Sequence, residues 1–322
     1  MFKTEVTEML GVKYPIIAGN MFNISKPKFV AACCNAGTLG IFNSAQYRTV
    51  PKLREAIRET KSLTDKPFAV NVNLFPMLKP VNQEDYIQCM IDEGVPVIET
   101  SGHEAPDKYV SMFKESGVIW MHKCVGVRYA KKAESIGADI VEVVGYENGG
   151  ATGNLNIATL VLVPSVVDAL NIPVIGGGGI SDGRGLLAVL SLGAGAGLIG
   201  TRLLATQECP IHDDMKQAFI NAKETDTVLV MKTLNATHRV WNNGAAQKIL
   251  ELEAMENTPA GQIFSLGAGA KAKKMYKYGE LDMGMVSCGQ GVGLAHDIPT
   301  VKELFDRIMK EAEDLVNKFH NS

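Results

Sequence analysis

Four consecutive glycines, Gly176 to Gly179, end a short apolar run (Ile172-Pro-Val-Ile175), and a second apolar run, Ala196 to Ile199, ends in Gly200-Thr201-Arg202. Glycine at the carboxyl end of a strand lets backbone N–H groups converge on phosphate oxygens, and a following helix N-terminus adds partial positive charge. In an eight-fold β/α barrel, the loops after the last two strands commonly hold the phosphate of a ligand. The pair of glycine-ended runs therefore points to a phosphorylated cofactor or substrate.

Other spacings in the chain resemble chemistry without supplying it. Gly195-Ala-Gly197-Leu-Ile-Gly200 matches the dinucleotide pattern GxGxxG, as does the stretch from Gly183 to Ala188 with alanine in the last place. A working fingerprint follows a strand and opens a helix. The first match follows a helical run and leads into a strand, and the second follows the tetraglycine turn. The six histidines have no metal-ligand spacing, so no metal is expected. A GxSxG elbow is absent. The six cysteines form no CxxC pair and read as small apolar filler in a reducing, cytoplasmic setting.

The elements that must position the glycine runs follow an alternating rhythm. Strands are expected at 15–18, 38–41, 67–71, 95–99, 118–122, 140–144, 173–175 and 197–199. Helices are expected at 27–36, 50–60, 107–115, 127–136, 164–170 and 184–192. Eight strands alternating with helices imply a parallel sheet closed into a TIM-type (β/α)8 barrel, class α/β, over residues 1–206. Beyond Thr206 the rhythm breaks. Residues 213–223 and 245–256 look helical, 225–231 reads as an extended or buried run, and 238–243 reads as a polar stretch. Residues 207–280 are expected to form a smaller, mostly helical C-terminal lobe over the barrel mouth. Residues 281–322 are expected to return to the barrel, ending in an amphipathic helix over 300–319.

With 322 residues, 46% of them hydrophobic, the chain can bury a large core, and its net charge of -3 gives no field that attracts nucleic acid. No apolar stretch reaches membrane-spanning length, and the N-terminus has no apolar signal core. The expected partners are a small-molecule substrate and a second copy in a homodimer, with neither nucleic acid nor membrane.

The motifs form an ordered set. Lys66-Pro-Phe-Ala-Val-Asn71 ends the third strand and Lys123 the fifth, and Gly145-Tyr-Glu-Asn-Gly-Gly-Ala-Thr-Gly153 follows the sixth. The glycine runs at 176–185 and 200–206 complete the barrel, followed by Ala222 to Val228. From Pro15 to about Gly293 this set resembles the flavin-dependent nitronate monooxygenase family, formerly called 2-nitropropane dioxygenases. Flavin-dependent enoyl-acyl-carrier-protein reductases and some NAD(P)H:quinone reductases belong to the same family. The resemblance implies bound FMN, with Ala18, Gly19, Asn20, Met21, Asn71 and Lys123 around the isoalloxazine and Gly150 also in the cofactor site. Gly178, Gly179, Gly200 and Thr201 would lie at the phosphate. Lys123 would stabilise negative charge on reduced flavin, or is simply a surface lysine at a strand end. Asn71 would face the flavin, or is a turn residue closing its strand.

One departure stands out. The family's glycine loop usually reads Gly-Gly-His-x-Gly, and the resemblance gives that histidine an acid/base role. Here the position is Ala151, which can neither accept nor donate a proton. His103, in the loop after the fourth strand, is either a replacement catalyst on the functional face or a solvated surface residue. Tyr146 and Glu147 are further candidates, or supports of their loop. Among phosphate-binding barrels, IMP dehydrogenase and GMP reductase need a nucleophilic cysteine after the sixth strand, and residues 146–154 contain none.

The expected activity is therefore FMN-dependent reduction of an activated double bond, such as that of an enoyl thioester, by NADH or NADPH. Oxidation of alkyl nitronates with O2 is the alternative reading. The loss of the loop histidine also admits an inactive flavin-binding relic.

Overall fold

The structure is a computed structural model that describes residues 2–74, 81–102, 105–267 and 269–320. Eight parallel strands close into a barrel. Six of them come first: β1 (Ile16–Ala18), β2 (Leu39–Asn43), β3 (Phe68–Asn73), β4 (Val97–Ser101), β5 (Ile119–Cys124) and β6 (Ile140–Val144). A two-residue strand, β7 (Gly150–Ala151), leaves the barrel before β8 (Val174–Gly177) and β9 (Ala196–Ile199) complete it. Closure comes from β1 pairing with β9, Ile17 opposite Leu198.

Helix α1 (Glu5–Leu10) plugs one end of the barrel, and helices cover its outer surface in the order α2 (Pro27–Asn35), α3 (Val50–Leu63), α4 (Gln83–Asp92), α5 (Val110–Ser116), α6 (Val127–Ile136), α7 (Thr159–Val167) and α8 (Gly183–Ser191). Neither α1 nor α4 is among the helices expected from sequence. Both are short and set by local caps. Thr4 and Thr7 form a reciprocal capping box on α1, and the Asn82 side chain accepts from Glu84 N at the start of α4.

Side chains alternate along each strand, so every second residue points into the barrel. One interior layer is apolar: Ile17, Leu39, Ile41, Ala69, Val97, Met121, Ile140, Ile175 and Leu198 cluster there with Val6 and Leu10 of α1. Two residues further along the strands the interior turns polar, with Asn43, Asn71, Glu99, Lys123 and Glu142 at the next inward positions. The barrel thus has an apolar floor closed by α1 and a polar layer towards its C-terminal end.

After β9 the chain builds α9 (Asp213–Ile220), β10 (Thr227–Val230), β11 (His238–Trp241), α10 (Gly244–Glu253), α11 (Ala260–Leu266) and α12 (Gly269–Tyr278). Val230, Val240, Ala246, Ile249, Leu252 and Ile263 make a separate small core here. The stretch expected to be merely polar is strand β11, which pairs antiparallel with β10 on one side and β7 on the other. The segment after β9 is thereby hydrogen-bonded to the loop that follows β6. No helix among the described residues is long and apolar enough to cross a membrane.

The last helix, α13 (Val301–His320), packs on α8 and α2. A Cβ added to Gly183, the first residue of α8, would lie 2.5 Å from Ile308 O and 2.6 Å from Ala312 N of α13. Glycine is what lets the two helices meet at backbone distance. Gly183→Ala is expected to push them apart and lower stability by about 1–3 kcal/mol. Urea denaturation of the variant measures this, and an unchanged midpoint would show that the contact yields without cost.

Candidate active site

The polar layer is organised around one carboxylate. Glu99 is fully buried, and its Oε2 accepts from Asn20 Nδ2 and from Asn71 Nδ2, both at 2.7 Å. Asn43 Nδ2 donates to Asn71 Oδ1 at 2.9 Å and to Asn20 Oδ1 at 3.2 Å. Lys123 Nζ lies 3.8 Å from Glu99 Oε1. Residues of the β1 loop and of β2, β3 and β5 are thus tied to a single charge on β4. Asn71 sits inside β3 with no exposed surface, so it is a network member and not a turn residue.

Glu142 of β6 adjoins this network and is also fully buried. Burial first, and the neighbouring Glu99 charge second, hold its carboxyl well above the usual carboxylate range, while Lys123 acts in the opposite direction. No N–H or O–H of the described residues donates to either Glu142 oxygen or to Glu99 Oε1. Glu99 and Lys123 form the ion pair of this layer, with the Glu142 carboxyl beside it.

Above this layer opens a cavity of about 550 Å³, in the size range of small-molecule and cofactor sites. Gly19, Asn20 and Met21 line it after β1, Lys123 at β5, Gly150 and Ala151 after β6, Gly178 and Gly179 after β8, and Gly200 and Thr201 after β9. Ala18 and Asn71 are buried and are not among the cavity's lining residues; Ala18 packs with Ile16 and Phe29. His103 falls outside the described residues.

The cradle after β8 and β9 fits a phosphate in shape. Gly178 and Gly179 have φ of 110° and 72°, in the left-handed region. Gly200 would direct a Cβ into open space, with no atom within 4 Å. An anion in this cradle would not draw on the N-terminus of α8, contrary to expectation. Its first N–H groups are taken by carboxylates: Gly183 N donates to Glu311 Oε2 at 2.9 Å, and Gly185 N to Asp182 Oδ1 at 3.1 Å. The cradle is therefore the backbone of the two glycine turns and the 3-10 turn Thr201–Ala205.

Glu147 and Tyr146 hold the loop after β6. The Glu147 carboxylate accepts from Thr159 N at 3.1 Å, at the start of α7. Arg239 Nε donates to Tyr146 O at 2.9 Å, and its guanidinium lies over the Tyr146 ring. The sequence reading did not single out His238, which lines the cavity from β11 directly opposite Ala151.

A closed parallel barrel whose last two strands end in glycine turns, with a half-buried lysine at one large cavity, suits the flavin-dependent barrel oxidoreductases. The sequence model of the nitronate monooxygenase family matches residues 3–311, and the chain belongs to that family. It is a flavin-dependent oxidoreductase. A Rhodococcus jostii protein described as (3aS,4S,5R,7aS)-5-hydroxy-7a-methyl-1-oxo-octahydro-1H-indene-4-carboxyl-CoA dehydrogenase is 34% identical, over 96% of both chains. A probable nitronate monooxygenase of Staphylococcus saprophyticus is 29% identical, over 98% of this chain and 99% of its own. The solved structure of FabK from Thermotoga maritima superposes with a TM-score of 0.92 at 34% identity, covering 100% of this chain and 99% of that one.

His122, on β5 beside Lys123, is 2% exposed, and its Nδ1 lies 2.8 Å from Thr100 Oγ1. Burial pushes its imidazole down from 6.5 to about 4. The folded protein thus refuses a proton that the unfolded chain accepts, so stability falls as pH drops from 6.5 towards 4. The loss is on the order of 3 kcal/mol. His122→Asn is expected to remove this acid-side slope, read by urea denaturation at a series of pH values. A slope of equal size in the variant would assign it to other groups.

Proposed function

We propose that this protein is an FMN-dependent reductase that uses NADH or NADPH to saturate the Cα=Cβ bond of an acyl thioester. The observation that carries the reading is the composition of the cavity wall. Among many polar groups, one part of that wall is apolar, with Met21 and Phe22 from the β1 loop and Ala272, Tyr276 and Met285 from the C-terminal segment. Such a wall suits an acyl chain better than a small nitro compound. Two full-length similarities support it: the Rhodococcus relative is named for a carboxyl-CoA substrate, and FabK is an enoyl-ACP reductase.

A bound flavin supplies two-electron transfer between a nicotinamide donor and the acceptor. The chain's own residues do the rest. Gly178, Gly179, Gly200 and Thr201 hold one phosphate group, which suits FMN. Lys123, paired with Glu99, places a cation at the cavity where negative charge is to be stabilised. The apolar wall excludes water from the reacting carbons.

Nitronate oxidation is the second reading, favoured by the Staphylococcus relative's name and by Ala151. A nitronate is already an anion, so its oxidation needs no base at that position.

Mass spectrometry of the denatured protein is expected to find FMN. The reduced protein, mixed anaerobically with 2-enoyl-CoA esters of increasing chain length, is expected to be reoxidised by them, and faster than the oxidised protein turns over ethyl nitronate with O2. The reverse order of rates would establish the second reading. Gly200→Asp is the cleaner probe of the cradle, because its Cβ meets nothing, whereas a side chain at Gly178 would strike the Thr159 hydroxyl. A carboxylate against the phosphate is expected to weaken FMN binding on the order of 100-fold. Undiminished affinity would place the phosphate elsewhere.

A further inference from the structure

Saturating an enoyl thioester needs a hydride equivalent at the β-carbon and a proton at the α-carbon. Ala151 supplies no proton. Five of the other titratable side chains described on the cavity wall, Tyr129 apart, are poorly suited to do so. His122 is held neutral by burial, with its imidazole at about 4. Burial also pushes the Cys124 thiol up to about 12 and the Tyr276 phenol further still. Lys132 is paired with Asp107 at 2.5 Å, and Lys123 is the counter-ion of Glu99.

His238 is differently placed. In the antiparallel pairing of β7 with β11 it stands directly opposite Ala151, with Arg239 opposite Gly150. Residues directly opposite in such a ladder project to the same face, with Cβ atoms about 4.5–5.5 Å apart. Ala151 and His238 accordingly line the same cavity. His238 Nδ1 lies 2.6 Å from Ala236 O. A carbonyl oxygen only accepts, so Nδ1 carries a hydrogen and Nε2 is the nitrogen that gains and loses the exchangeable proton. The neighbouring Arg239 turns away, donating to Tyr146 O and Thr227 Oγ1. The cations on the surrounding walls are Lys123 of β5 and Lys132 of α6.

We propose that His238 is the general acid of this enzyme, delivering its Nε2 proton to the α-carbon from the strand opposite Ala151. The proposal rests on the thioester-reductase reading. NAD(P)H is the reductant: its hydride equivalent ends on the β-carbon, and the π electrons of the double bond take the proton from His238 as the new Cα–H bond. The imidazolium becomes neutral imidazole and regains a proton from water before the next turnover.

The test compares wild type, His238→Ala, His238→Gln and the double variant Ala151→His/His238→Ala. In both single variants, reduction of a 2-enoyl-CoA should fall by roughly 10²–10⁴-fold, far more than reduction of the bound cofactor by NAD(P)H. Each should also lose the neutral-range limb of its pH profile. The double variant should recover at least about a tenfold portion of the loss, because the imidazole returns to the same face one strand away. An independent readout is the imidazole 15N spectrum of the cofactor-free protein. There Nδ1 should stay protonated across the titration while Nε2 changes state. Enoyl-CoA turnover in both single variants within about threefold of wild type, outside what general acid loss allows, would overturn the role of His238 alone. A wild-type protein that reduces no enoyl-CoA of any chain length would overturn the reductase reading together with it.

Discussion

The charge on Glu99 is the constraint around which the upper barrel is built. A carboxylate without solvent contact persists only if neighbours replace its hydration. Here two asparagine amides and one ammonium do so, and they arrive from the β1 loop, β3 and β5. Removing one partner of such a buried pair typically costs about 3–5 kcal/mol. The requirement therefore fixes the mutual positions of strands that an apolar layer alone would hold less specifically. Glu142 adds a second carboxyl, held above the usual carboxylate range first by burial and then by the Glu99 charge. The Glu99 pairing sets the Lys123 ammonium against the cavity, where a flavin enzyme has use for a cation.

A second organising element is the small sheet β10–β11–β7. It takes two residues out of the loop after β6 and pairs them with a strand that lies some ninety positions later in the chain. Chain from the segment after β9 thus forms part of the cavity wall facing the cradle. The region after β11 presses equally close: a Cβ on Gly149 would lie 2.8 Å from Gly289 N.

What could be read in advance followed from local pattern. The alternation of apolar runs and helices is legible because each strand and helix shows its period within a few residues. The glycine turns after β8 and β9 are legible because glycine is punctuation. Strand β11 was not, since His238 and Arg239 break apolar alternation and the partner that makes them a strand is remote in sequence. The Glu99 network was missed for a related reason. A glutamate inside Val-Ile-Glu99-Thr and another inside Ile-Val-Glu142-Val are visible anomalies in buried strands. Their meaning, though, depends on facing one another and Lys123 across closed β4, β5 and β6. The N-terminus of α8 misled in the opposite way: its position after the cradle suggested an anion site, but Glu311 of a helix over a hundred residues away had already taken its first N–H.

The rung that joins Ala151 to His238 bears on how such chains diverge. Two positions whose side chains emerge side by side share one parcel of space, so a bulky group at one disfavours a bulky group at the other. Substitutions there are coupled in their fitness, and a lineage can shed a ring from the loop and acquire one on the adjacent strand without rebuilding the backbone. A motif search that follows chain order registers only the first half of that exchange. Comparing relatives by spatial rung would count the two halves as a single inherited event, and would sort the family along different lines than its glycine-loop signature does.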